Sequence, residues 1–338
     1  LDILMRRSDD GGRTWSPINT VVEGRKDFGY GDPSVVADRD SAGLILMQAV
    51  SGNVPYVHAT AKNPQHAMFF RSTDGGKTWD KGHDVAPSIY NLYRDEQPLT
   101  QEKGFFLTSG KITQSRIIKK DKYYRLYIAH PVLHVGTFVI YSDDFGKTWQ
   151  VLGGAATIPG PDGDESKVEE LPDGSVLLSC RKFSSLGRRF NVFVYKNKKR
   201  AEGAWSEAKD AKALANCTRC NGDVVVVPVR RTIDGRKTWL AIQSLLQSKT
   251  RDHLGFYYRE IPRRGADLAP ALADNWQRGV MIHEGTAAYS TMSVFDDGTV
   301  GILYEADLDA NNTGYKILFS RLSVSQITGG AYEAMPAK

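Results

Sequence analysis

Ser8-Asp9-Asp10-Gly11-Gly12-Arg13-Thr14-Trp15, Ser72-Thr73-Asp74-Gly75-Gly76-Lys77-Thr78-Trp79 and Ser142-Asp143-Asp144-Phe145-Gly146-Lys147-Thr148-Trp149 are three copies of one pattern, S-x-D-x-G-[KR]-T-W. Each copy follows a short apolar run, Ile3-Leu4-Met5, Ala67-Met68-Phe69-Phe70 or Phe138-Val139-Ile140-Tyr141, and ends in a Trp. An apolar run closed by Asp and Gly reads as strand, tight turn, strand. Asp and Gly accept the left-handed backbone of a tight turn, and the Asp carboxylate takes hydrogen bonds from nearby backbone N–H groups. The Trp is expected to fold back as an apolar plug.

The spacing turns the repeat into an architecture. Ser8 and Ser72 are 64 residues apart, and Ser72 and Ser142 are 70 apart. That period exceeds the helical solenoids and suits about four strands per repeat, a propeller blade. A degraded fourth turn is expected at Lys196-Asn197-Lys198-Lys199, with Trp205 soon after. Further strands are expected at Ser34–Ala37, Leu44–Met47, Tyr124–Ile128, Ser175–Leu178, Val224–Val227, Val300–Tyr304 and Tyr315–Phe319, with no long amphipathic helix competing.

The 338 residues show no low-complexity linker, so residues 1–338 are read as one all-β domain. The net charge of +5 is scattered, and Lys198-Lys199-Arg200 and Arg263-Arg264 read as solvated loops, which argues against a nucleic-acid partner. No run of 18 apolar residues suggests a membrane span. Three cysteines are too few for a disulfide framework. Cys217-Thr218-Arg219-Cys220 lacks a second pair or a His cluster for zinc and reads as a local disulfide or two free thiols, and Cys180 as a buried thiol. No metal or cofactor is expected. His58, His66, His130 and His134 read as surface or rim residues, and Asp10, Asp74 and Asp144 as purely structural turn residues.

Outside the repeats, Asp164-Glu165-Ser166-Lys167-Val168-Glu169-Glu170-Leu171-Pro172-Asp173-Gly174 leads through Ser175-Val176-Leu177-Leu178-Ser179-Cys180 to Arg181. A glutamate precedes a hairpin whose second strand ends in an arginine sixteen positions later, so both can meet at one sheet end. With the repeats, this resembles the bacterial-type exo-α-sialidases (neuraminidases), six-bladed propellers whose repeats are called Asp boxes, and the resemblance runs along essentially the whole chain. It implies that Glu165 is the catalytic glutamate and Arg181 a member of an arginine triad. Ser248-Lys249-Thr250-Arg251-Asp252-His253-Leu254 supplies a second triad member, Arg251; Gly285-Thr286-Ala287-Ala288-Tyr289-Ser290-Thr291 supplies the nucleophilic Tyr289; and Leu303-Tyr304-Glu305 supplies Glu305, which would orient a triad arginine. Gly31-Asp32-Pro33-Ser34 resembles a motif whose aspartate reaches a ring hydroxyl of the sugar.

The chemistry of the substrate makes this set coherent. A sialic acid carries its carboxylate on the carbon that undergoes substitution, and a planar, permanently charged, bidentate donor suits it, which Arg is and Lys is not. A carboxylate nucleophile would be repelled there, so the neutral Tyr289 serves instead, and sialidases are a named exception of this kind among glycosidases. With an ordinary pKa of about 10, tyrosine needs a base to take its proton, which falls to Glu165.

The family's R-I-P arginine and acid/base aspartate would fall upstream of Leu1, and neither Asp2 nor Asp27 fits the pattern. A first blade lacking its N-terminal strands, and a longer parent protein, are therefore expected. The expected activity is retaining release of terminal α-linked sialic acid from glycoproteins, glycolipids or oligosaccharides through a tyrosyl intermediate, by a monomer that is secreted, periplasmic or at the cell surface. The alternatives are a non-catalytic sialic-acid-binding propeller and a trans-sialidase.

Overall fold

The computed structural model describes residues 1–107, 110–308 and 314–335 and is all-β, with only short helices among them. It comprises two compact units, Leu1–Asp164 with Tyr195–Gly203, and Glu165–Val194 with Ala204–Lys338.

In the first unit, β1 (Ile3–Met5) pairs with β2 (Asn19–Val22). The strands β3 (Gly29–Ala37), β4 (Ile45–Gly52), β5 (His66–Ser72) and β6 (His83–Asp84) form a four-stranded antiparallel sheet in that order. The strands β7 (Thr113–Lys120), β8 (Tyr123–Val132), β9 (Gly136–Ser142) and β10 (Gln150–Val151) form the next, with β11 (Gly160–Pro161) also on β9. The three repeats join β1 to β2, β5 to β6 and β9 to β10.

All three repeats are built alike. The serine hydroxyl donates to the aspartate and accepts from the amide four residues on: Ser8 to Asp10 (2.8 Å) and Gly12 (2.7 Å), Ser72 to Asp74 (2.8 Å) and Gly76 (2.9 Å), Ser142 to Asp144 (2.7 Å) and Gly146 (2.8 Å). The threonine donates both its amide (2.9 Å) and its hydroxyl (2.6 Å) to the aspartate each time. The hydroxyl and amide of Thr78 hold the Asp74 carboxyl down at about 2. In the third repeat Phe145 takes the left-handed conformation, φ 57°, that glycine takes in the other two, φ 74° at Gly11 and 76° at Gly75. Its buried ring, stacked on Tyr123, compensates the strain that a non-glycine residue meets there. The Trp behaves as a plug in degree only: Trp149 is 7% exposed and packs on Phe69, whereas Trp15 is 39% exposed. The short sheet β1–β2 offers it too little apolar surface to cover.

The core of this unit gathers Phe69, Tyr93, Phe105, Leu126, Ile128, Phe138, Ile140 and Trp149. His130 sits inside it, fully buried among the rings of Tyr93, Phe105 and Phe138, and bonded to the Tyr93 hydroxyl. This corrects the reading of His130 as a surface or rim residue; it faces inward from a strand whose alternation the apolar neighbours conceal. His58 and His134 are exposed as expected, and half-buried His66 pairs with Asp84 at 2.7 Å.

A further sheet, most of whose residues belong to the second unit, has β12 (Gly163–Glu170), β13 (Val176–Lys182), β14 (Arg188–Asn197) and β15 (Glu202–Trp205), in that order, with β16 (Lys209–Asp210) on β14. The expected fourth turn lies between β14 and β15, where Arg200 N donates to Asn197 Oδ1 at 3.1 Å. The larger sheet uses β17 (Val224–Arg231), β18 (Lys237–Leu246), β19 (Asp252–Ile261), β20 (Gln277–Val294), β21 (Val300–Leu308), β22 (Tyr315–Leu322) and β23 (Tyr332–Ala334), in the order β22-β21-β20-β19-β18-β17-β23. The 18-residue β20 pairs with β19 through Thr286 and with β21 from Ala287 onward. The seven apolar runs read as strands in the sequence all fall on these elements, with Leu44 and Ser175 one residue ahead of β4 and β13.

Burial pushes the His130 ring down to about 3, so the folded chain refuses a proton that the unfolded chain binds below its ordinary 6.5. Stability is thus expected to fall as pH drops from 6.5 toward 3, by up to about 1.4 kcal/mol per pH unit. His130→Gln, which keeps an acceptor for Tyr93, is expected to flatten the fall of melting temperature with pH across that window. An unchanged slope would remove His130 as its source.

Candidate active site

The hairpin β12–β13 sets the first two site residues. Glu165 lies on β12 and Arg181 near the end of β13, both largely buried, and an Arg181 Nη1 N–H donates to Glu165 Oε2. Taking either partner away from such a pair leaves a poorly solvated charge, so each fixes the other. The same Nη1 lies 3.5 Å from the Tyr289 hydroxyl.

Tyr289 sits at an irregularity of β20. Ala287 is opposite Ala306 and Ser290 opposite Tyr304, so β20 carries one residue more than β21 between these pairs, a bulge. Bulges re-aim side chains, and here the phenol meets Glu165 and Arg181. Glu305, on β21, accepts the Tyr289 backbone N–H through Oε2 at 3.1 Å. Arg251, just before β19, holds its guanidinium 5.6 Å from the centroid of the Tyr289 ring, a cation–π distance, and its carbonyl accepts from Ala287 N at 3.0 Å. The second unit therefore brings Glu165, Arg181, Arg251, Tyr289 and Glu305 into one cluster.

Asp32 belongs to the first unit. It lies exposed on β3 with φ 47°, where the pairing with β4 slips between Gly31 and Ser34. It too is at a bulge, the kind of place where a side chain is turned out of the sheet.

The electrostatics follow from burial. The Tyr289 hydroxyl is held far above its ordinary 10, by desolvation first, then by the charge and hydrogen bond of Glu165, with Arg181 pulling the other way. It is a phenol, not a phenolate, and its nearest base is Glu165. Burial works against the Arg251 charge, but Cys220, Tyr315 and Tyr289 raise its pKa overall.

Several neighbours of the cluster carried no signal in the sequence reading. Tyr315, which hydrogen-bonds Arg251, was legible only as the start of a strand. Asn221 and Asp223 lie unremarked between Cys220 and the valine run. The three cysteines are buried free thiols, so of the two readings of Cys217 and Cys220 the free thiols hold; Cys217 bonds the Tyr257 hydroxyl at 3.5 Å, and burial pushes Cys220 up to about 11. Among the described residues no group of three or more His, Cys, Asp or Glu is arranged to hold a metal ion, and no helix is long and apolar enough to cross a membrane.

Residues 1–302 match the family described as BNR repeat-like domain, and the Asp-box repeat is that family's motif. A sialidase of Micromonospora viridifaciens is 28% identical over 316 residues, covering 90% of this chain and 44% of that protein. A sialidase of Bacteroides fragilis is 22% identical over 330 residues, covering 91% of this chain and 54% of the relative. The chain thus spans about half the length of these two relatives. Among solved structures, the intramolecular trans-sialidase of Ruminococcus gnavus superposes with a TM-score of 0.71 at 15% identity, over 97% of this chain and 88% of that one, a likeness of fold. On its repeats and its relatives together, the chain belongs to the BNR repeat-like domain family and is a relative of the bacterial-type sialidases.

Proposed function

We propose that this chain is the catalytic propeller of a retaining exo-α-sialidase, acting on terminal α-linked sialic acids of glycoproteins, glycolipids or oligosaccharides. The observation that carries this reading is the meeting of one tyrosine, one carboxylate and two arginines, with the Tyr289 hydroxyl beside Arg181 and its ring under Arg251. A six-bladed arrangement and a secreted, periplasmic or cell-surface setting fit such an enzyme.

Arg181 and Arg251 receive the substrate carboxylate with charged, forked donors. Arg181 then exchanges Glu165 for the substrate, which frees the carboxylate to act as a base. Tyr289 Oη attacks the anomeric carbon, its proton passes to Glu165, and the bond to the leaving group breaks as that oxygen takes a proton. Water then attacks the same carbon, giving its proton to solvent, and Tyr289 leaves and recovers its proton from Glu165, so two inversions give retention. Glu305 holds the Tyr289 backbone, and its orientation of a triad arginine belongs to this proposal, as does Asp32 on a ring hydroxyl. No residue of this chain is assigned as the acid that protonates the leaving group.

Tyr289→Phe removes one oxygen and leaves the packed ring. It is expected to keep the parent's melting temperature and to lose covalent labelling by a mechanism-based fluorosialoside, which in the parent falls on Tyr289. Labelling elsewhere would overturn the nucleophile, and sialoside binding without turnover would favour a binding propeller. Sugar transfer to an added galactoside would favour a trans-sialidase.

Arg251→Lys keeps the charge and loses the fork. KM for a fluorogenic sialoside is expected to rise about tenfold, the loss of one charge-assisted bond of about 1.5–3 kcal/mol. An unchanged KM would make Arg251 a bystander.

A further inference from the structure

The pairing of β20 with β19 ends at Asp252 and Thr286, so past the bulge at Tyr289 one edge of β20 runs on beyond β19, and side chains supply what the ladder does not. Tyr289 N donates to Glu305, Ser290 N to Asn221 Oδ1 at 3.2 Å, and Met292 N to Asp223 Oδ2 at 2.7 Å. The Thr291 hydroxyl also reaches Asp223 Oδ2, at 3.2 Å. Buried backbone N–H groups need partners, but such partners need not come from one short loop. Asn221 and Asp223 stand either side of Gly222, and both are buried.

That loop is itself fixed from below. Arg188, fully buried at the head of β14 and directly opposite Arg181 in the β13–β14 ladder, donates through Nη1 to Asn221 O at 2.6 Å and to Cys220 O at 3.0 Å. It also holds Ser179, through Nε to Oγ at 2.9 Å and Nη2 to the carbonyl at 3.1 Å. Gly222 has φ 81°, and a Cβ there would lie 2.4 Å from the Ser244 carbonyl, so only glycine lets the loop pass this close to β18. Ser244 in turn bonds Asp223 N at 3.0 Å and the Ser290 hydroxyl at 2.9 Å.

We propose that Asn221 and Asp223 are positioning residues for Tyr289: their side chains fix the bulged strand so that the phenol stays against Glu165, and Arg188 holds the loop that carries them. Neither touches the reacting atoms. The inference rests on the proposed role of Tyr289, and it adds that the geometry of the nucleophile is set from β17 and β14 as well as from its own sheet neighbours.

The test compares Asp223→Asn, which keeps one acceptor oxygen, Asp223→Ala, and Val226→Ala, a buried core change on β17, the strand that follows. The rate of covalent labelling by a fluorosialoside is expected to fall about tenfold in Asp223→Asn and on the order of a hundredfold in Asp223→Ala, the scale of a small misplacement of a reacting group. Sialoside KM should change little, and Val226→Ala should lower the melting temperature without slowing labelling. A second readout does not need Tyr289 to be the nucleophile: carbon-13 NMR of labelled tyrosine, assigned through Tyr289→Phe. There the Tyr289 titration is expected to move down toward the ordinary value of about 10 in Asp223→Ala, as the phenol leaves Glu165. If Asp223→Ala fails to fold, Ser244→Ala and Thr291→Val each remove one hydroxyl of the brace and are expected to show the same changes at smaller size. Parental labelling rates and an unmoved titration in well-folded variants would overturn the brace. A parent that carries its label elsewhere would instead overturn the nucleophile, and the titration would still decide the brace.

Discussion

A buried phenol beside a buried carboxylate is an unstable pair to leave alone, because losing the phenol proton would place two negative charges together. Arg181 resolves this by donating to Glu165 while standing 3.5 Å from the Tyr289 oxygen. Desolvation and the neighbouring Glu165 keep Tyr289 protonated against the pull of that guanidinium, which is the resting state that the proposed neutral nucleophile requires. Three features of the second unit converge on that contact: the hairpin that returns Arg181 to Glu165, the bulge that turns Tyr289 toward them, and Arg251 over the ring.

The same contact explains why the charges differ between parts of the cluster. Two arginines gather about Tyr289, where the proposed anionic substrate would arrive, while the proposed attacking group carries no charge. A carboxylate in place of Tyr289 would compete for Arg181 and Arg251 and would repel the substrate. In the proposed mechanism the high proton affinity of Tyr289 is therefore no obstacle to attack, since the proton would have Glu165 to go to once Arg181 turned to the substrate.

Much of this was legible in the sequence, and unevenly so. The repeats were legible because turn chemistry is local: a serine, an aspartate and a threonine within seven residues make their bonds to one another, at 2.6–2.8 Å across the three copies. Glu165 and Arg181 were legible because one hairpin joins them. What was hidden depends on contacts between distant segments. His130 looks like any strand-end histidine until Tyr93 and Phe105 close over it. Trp15 has the same local sequence as Trp149, but the sheet beneath it is too small to bury it.

Asn221 and Asp223 show the sharper form of this limit. An Asn-Gly-Asp run before four valines reads as an ordinary turn, and both polar residues have good local reasons to be there. Their work is done on β20, 68 or 69 residues away, just past a bulge and beyond the end of β19, which no periodicity announces. A strand that outruns its neighbour leaves donors that a ladder would otherwise hold, and a buried donor left alone costs about 1–3 kcal/mol. The residues that accept those donors must be buried, polar and rigidly held, which is the description of Asn221 and Asp223 above Arg188. Wherever a buried strand runs on past its neighbour, the chain must supply such acceptors from elsewhere, and they are found by asking where each N–H on that edge goes.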